Sequence, residues 1–175
     1  MNFGNTKSER NDVLYRFINY NSPSEHDPTL EDRYITTVFI NEKYYEIEIL
    51  DSAGEEDYQN MYDMWIHFGE GFLLFFAIND LESFHYLNDK YERIIKGKKG
   101  IKPPIILVGT KQELDKERKV SYIEAKNFAD RLGIEYIEVS AKTNFNCYEV
   151  FIMLIKKIIE TRNKKIKKDK HCILI

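Results

Sequence analysis

Two unbroken apolar runs constrain this chain most: GFLLFFAIN (71–79) and PPIILVGT (103–110). Each has the length of a strand and no polar face, as parallel strands covered on both sides require. A shorter run, EYIEVSA (135–141), follows them. Helical patterns lie between: Val13–Leu14–Phe17–Ile18, then Leu81 to Ile95, then Tyr122 to Leu132 closed by Gly133, and finally Tyr148 to Ile159. Arg33 to Ile40 and Lys43 to Leu50 are rich in β-branched and aromatic residues and flank a short polar turn, which predicts a hairpin. Strands separated by helices of this length predict an α/β fold, a mostly parallel sheet with helices on both faces. In such folds ligands bind beyond the carboxyl ends of the strands.

At 175 residues, 43% hydrophobic and 31% charged, the chain has the make-up of one soluble globular domain. Two cysteines, Cys147 and Cys172, argue against a disulfide framework and for a reducing compartment. The longest apolar run, Phe72 to Ile78, is too short to span a bilayer, and no basic-then-apolar leader is expected. The net charge of -3 is uneven: Arg162 to His171 carries +5, which leaves the remainder near -8. A basic tail on an acidic body predicts contact with an anionic surface rather than nucleic acid.

Several loops stand where ligand chemistry is expected. Gly4 to Asn11, GNTKSERN, sits where a phosphate-cradling loop would open a helix, but alone it reads equally as a turn. Asp51-Ser-Ala-Gly-Glu55 follows the hairpin. Its Asp suits magnesium and its Gly suits a terminal phosphate, although a helix cap explains it about as well. Thr110-Lys111-Gln112-Glu113 offers a carboxylate to a guanine edge and a lysine stem to the base. Ser140-Ala141-Lys142 could add a backbone N–H to the guanine carbonyl. Three loops at one sheet edge would surround one ligand.

These motifs, with HDPTLEDRY (26–34) and DSAGEEDY (51–58), resemble the Ras/Rap branch of the small GTPases along the whole chain. The first is similar to that family's switch I and effector loop, the second to its switch II. The resemblance implies a six-stranded sheet with helices on both faces, whose first strand is central and paired on both sides. Here that strand would be the stub Met1–Phe3. It also implies a domain over residues 1–161 that binds GTP/GDP and Mg2+, exchange and activating factors, and an effector surface at Asp27, Pro28, Leu30, Glu31, Asp32 and Tyr34.

Aligned on the effector loop without gaps, Gly4 falls on the first phosphate-loop glycine. Arg10 and Asn11 then replace that loop's Lys and Ser, and Glu9 stands where a glycine is usual. The resemblance assigns nucleotide contacts to Gly4, Arg10, Asn11, Thr29, Gly54, Thr110, Lys111, Glu113, Ser140, Ala141 and Lys142. It assigns the metal to Asn11, Thr29 and Asp51, and the catalytic centre to Thr29, Gly54 and Glu55. Glu55 replaces the water-positioning Gln, and an anion beside a terminal phosphate repels it. Ser22 replaces an aromatic base clamp, with Tyr20 as the nearest substitute. The expectation is a switch with slow hydrolysis and weakly held GTP and Mg2+. The alternative is a pseudo-GTPase that binds effectors without turnover.

Cys172-Ile-Leu-Ile175 fits a C-a-a-X prenylation motif behind a polybasic segment, residues 162–175. The bulky last residue favours geranylgeranyl. Prenylated Cys172 and the lysines predict anchoring at the cytoplasmic face of a membrane, the plasma membrane in particular. Arg162 to Lys170 also reads as the solvated end of the last helix.

Overall fold

A computed structural model describes residues 2–3, 7–21, 33–51 and 59–170, with side-chain environments over 10–19, 33–51 and 63–164. Six strands are present in it: β1 (Asn2–Phe3), β2 (Arg33–Ile40), β3 (Lys43–Leu50), β4 (Phe72–Ala77), β5 (Ile105–Thr110) and β6 (Glu135–Glu138). The helices are α1 (Lys7–Asn21), α2 (Gln59–Phe68), α3 (Leu81–His85), α4 (Leu87–Gly97), α5 (Tyr122–Leu132) and α6 (Cys147–Lys170).

The strands alternate their side chains between two cores. Leu73, Phe75, Ile106 and Val108 face α1 and α6, where Phe17 stacks on Phe151 with ring centroids 4.3 Å apart. Phe72, Leu74, Phe76, Ile105 and Leu107 face the layer of α2, α4 and α5. All six residues of β4 and all six of β5 are buried, which explains why neither strand has a polar face. The expected α/β architecture is therefore present, with parallel pairing of β1 to β4, β4 to β5 and β5 to β6.

The continuous six-stranded sheet is not found among the described residues. The strands divide into a four-stranded parallel sheet, β1-β4-β5-β6, and the β2–β3 hairpin. Among the described residues β1 registers Asn2 with Leu73 and Phe3 with Leu74. Beyond β3, Asp51 takes part in an isolated backbone bridge. The hairpin itself matches the sequence reading: Asn41 and Glu42 both take positive φ, 49° and 62°, as a tight two-residue turn demands.

Two other elements refine the reading. The run from Leu81 forms α3 and α4 with a seam at Tyr86, whose N–H reaches Glu82 O at 3.4 Å. The Asp80 carboxylate caps its start, accepting from the N–H of Glu82 and Ser83. Gly133 closes α5 in the left-handed region at φ 62°, as expected. α6 continues through Lys170, so the basic segment up to that residue is helical in backbone.

Candidate nucleotide site

The carboxyl ends of β5 and β6 meet the middle of α1 around a cleft of about 500 Å3. Thr110, Lys111, Glu113, Ala141 and Lys142 line it, so the loops after these two strands converge as the sequence predicted. Thr110 is buried and its hydroxyl donates to Phe76 O at 3.1 Å. The N–H of Gln112 donates to Val139 O at 3.1 Å and stitches the two loops together. Lys111 takes the left-handed conformation at φ 62°, unusual for a residue with a Cβ and often a mark of a functional turn. Glu113 Oε2 is buried with no hydrogen-bond partner among the described residues. A buried acceptor left this way is costly unless a ligand donates to it.

Ser140 is held from three sides. Its N–H donates to Phe145 O at 3.0 Å, its Oγ accepts from Thr143 N–H at 3.1 Å, and its carbonyl accepts from Cys147 Sγ at 3.3 Å. Burial raises the Cys147 thiol to about 11, which keeps it neutral. The β6 end is braced further out by Arg118, bidentate on Glu138 at 2.7 and 2.9 Å. Tyr136 Oη donates to the same carboxylate at 2.6 Å, and burial pushes its pKa up.

Sequence reasoning missed the face of α1 that completes the cleft. Asp12, Tyr15 and Arg16 are three and four residues apart, hence on one side of the helix, and all line the cleft. Arg16 Nε donates to Ala141 O at 3.0 Å, tying α1 to the β6 loop. Tyr15 is 64% exposed and leaves an aromatic ring at the rim. The helical spacing was the available signal.

The other end of the site is built differently. Arg10, in the first half of α1, is almost fully buried, and its Nε lies 2.7 Å from Oδ1 of Asp51. The Asp51 side chain is only 4% exposed. The residue expected to meet phosphate and the residue expected to serve the metal are therefore paired with each other. Lys90 of α4 adds a second cation: burial, then the nearby charge of Arg10, push it down to about 8. A magnesium ion needs near-octahedral oxygen ligands and a carboxylate to balance its charge. The Asp51 carboxylate is engaged by a guanidinium, and Thr29, another expected ligand, lies outside the described residues. No group of three or more His, Cys, Asp or Glu able to hold a metal occurs among the described residues.

Gly4, Thr29, Gly54, Glu55, Asp27, Pro28, Leu30, Glu31, Asp32 and Cys172 lie outside the described residues, as do Thr6, Ser22 and the rest of switch I before Arg33. Asn11 is half-buried in α1, one residue from Arg10. Of the expected effector surface, Tyr34 is described: it lies in β2 opposite Ile49 and packs against the α6 core.

The Ras family sequence model matches residues 3–160. The chain belongs to the Ras family. Relatives include the Ras-like protein rasZ of Dictyostelium discoideum, 37% identical over 158 residues that cover 90% of this chain and 74% of the relative. The Ras-like protein RAS2 of Hydra vulgaris is 35% identical over 170 residues, covering 93% and 88%. Guanine nucleotides, magnesium, effectors and regulators are properties of the Ras family in general. Among the described residues of this member, Thr110, Lys111, Glu113, Ala141 and Lys142 line one cleft, and Arg10 is paired with Asp51.

Proposed function

We propose that this Ras-family chain is a guanine-nucleotide module with slow or absent hydrolysis, acting through its effector loop at 26–34. The observation that carries the reading is the buried Arg10–Asp51 pair. A guanidinium held by a carboxylate is less available to a phosphate, and the same carboxylate is less available to a metal. Arg10 and Lys90 still place two cations near one anion, so an anionic ligand is attracted to this end. At the base end, Glu113 Oε2 is an acceptor awaiting a donor, and the Tyr15 ring is free to stack. Binding is therefore guanine-selective and weak, with little dependence on magnesium.

Glu55 and Glu9 add the chemical reason for slow turnover, since carboxylates repel a terminal phosphate and Glu55 does not position water as an amide does. A second reading is favoured by the same ion pair: a pseudo-GTPase whose effector loop works with no nucleotide cycle. Prenylated Cys172 and the lysines after Arg162 hold either form at the cytoplasmic face of an anionic membrane, with the plasma membrane as the expected site.

Titration with a fluorescent guanine nucleotide, with magnesium and with a chelator, tests this directly. Weak binding that changes little between the two conditions is the expected result. Tight binding lost on chelation would overturn it, as would single-turnover hydrolysis at a rate typical of Ras proteins. Absence of any nucleotide binding would select the second reading.

A further inference from the structure

Glu113, the buried acceptor of the base cleft, belongs to a 3-10 helix, Gln112–Glu117, that has little of its own to hold it still. None of its residues is buried, and Leu114 leaves helical geometry at φ -92° and ψ 33°. Hydrogen bonds of 3-10 type are poorly aligned, so a helix of this kind depends on anchors from outside. Two are present. At its start the Gln112 N–H donates to Val139 O at 3.1 Å. At its end the Arg118 guanidinium reaches in two directions. Nε donates to Asp115 Oδ1 at 2.7 Å, inside the helix, while Nη1 and Nη2 donate to the two Glu138 oxygens at 2.7 and 2.9 Å.

Glu138, at the end of β6, is itself fixed. Tyr136 Oη donates to its carboxylate at 2.6 Å, and its carbonyl accepts from Asn146 Nδ2 at 2.9 Å. Gly109 of β5, beside Thr110, leaves the tyrosine its room, since a Cβ there would meet Oη at 2.8 Å. The Arg118 and Glu138 side chains are 18% and 10% exposed, so water and salt screen this pair less than a surface one. Neither residue lines the cleft, so any effect on a bound base runs through the helix that carries Glu113.

We infer that Arg118 is a positioning residue for base selection, clamping the 3-10 helix to Glu138 so that the Glu113 carboxylate stays where a guanine edge can meet it. The inference rests on the guanine reading of the cleft. A carboxylate that accepts two N–H groups of one base is a planar, bidentate contact, and small displacements spoil it. Arginine suits the clamp because its planar fork serves Asp115 and Glu138 together, which the point charge of a lysine does not.

The test compares guanosine diphosphate with inosine diphosphate, which lacks the exocyclic amino group, by competition against a fluorescent guanine nucleotide on the full chain. A smaller folded fraction lowers both affinities alike and leaves their ratio untouched, whereas a displaced Glu113 lowers the ratio. Arg118→Met takes the guanidinium from a mostly buried carboxylate, so Arg118→Met with Glu138→Gln is measured beside it. In both, the preference for guanosine should fall by about tenfold, towards one. Hydrogen exchange at the Gln112 and Leu114 amides, bonded to Val139 O and Lys111 O, should quicken by a similar factor while β4 and β5 keep their protection. Arg118→Lys should fold normally and recover only part of the preference. A selective wild type whose preference and exchange are unchanged in the double variant would overturn the role of Arg118 and leave the guanine reading standing. A wild type with no preference would overturn the guanine reading, and the role of Arg118 with it.

Discussion

Arg10 Nε and Asp51 Oδ1 lie 2.7 Å apart, with 1% and 4% of the two side chains exposed. The pair joins the start of α1 to the end of β3, two elements that share no backbone ladder. Removing one partner takes this ion pair from a charge that stays buried. Asp51→Ala should therefore lower stability by about 3–5 kcal/mol, whereas Arg10→Met with Asp51→Leu should be near neutral. Urea unfolding of the two variants gives the comparison, and equal losses in both would show that the pair is not the source.

The base cleft gives a second expectation. Glu113→Ala removes the buried acceptor and should abolish preference for guanine over adenine nucleotides, measured by competition against a fluorescent guanine nucleotide. Tyr15→Ala should weaken both alike, because stacking is blind to base identity and contributes about 1–3 kcal/mol per base. A guanine preference that survives Glu113→Ala would remove that carboxylate from the site.

Lys90 sets a pH dependence whose sign can be worked out. Its pKa is lowered from 10.5 to about 8, so between these values the unfolded chain binds the extra proton and the folded chain does not. Stability should rise with pH from about 8 to 9, by less than about 1 kcal/mol per unit after allowance for its residual solvent contact. Above about 9 the gain is opposed by Cys147, whose thiol is raised from 9.0 to about 11 and so ionises first in the unfolded chain. Lys90→Met should flatten the rise between pH 8 and 9. A parallel profile in that variant would assign the effect elsewhere.

Much of the fold was legible because its signals are local. β2 and β3 were bounded correctly by their β-branched and aromatic composition, and α5 by Gly133. The runs in β4 and β5 announced burial on both faces before any partner was known. What the sequence could not convey was pairing at a distance. That Arg10 would turn to Asp51, 41 positions away, depends on how α1 packs against the hairpin, and no spacing rule encodes it. Lys90 escaped for the same reason: a lysine in an amphipathic helix reads as solvated until the neighbouring element is placed over it. Asp12, Tyr15 and Arg16 were within reach of helical periodicity, but attention to the apolar face of α1 hid its polar one.

The tail yields a fourth expectation. Cys172→Ser should move the protein from membranes to the cytosol, since lysines alone are screened beyond about 8 Å at physiological salt. Replacing Lys164, Lys165, Lys167, Lys168 and Lys170 with Gln should leave the protein prenylated but spread over internal membranes, each lysine contributing about 1 kcal/mol near an anionic leaflet. Fractionation and imaging of both variants check this. Membrane retention of Cys172→Ser would identify another anchor.

The separation of the hairpin from the four-stranded sheet has a mechanical consequence. Eight registered residue pairs stiffen β2 and β3 internally, and the buried ion pair at Asp51 ties the end of β3 to α1. A ligand that draws Arg10 away from Asp51 cuts a tether at the end of a lever. The far end of the hairpin is the turn at Asn41 and Glu42, so a label placed there would test whether a change at the Arg10–Asp51 pair is felt at the opposite tip.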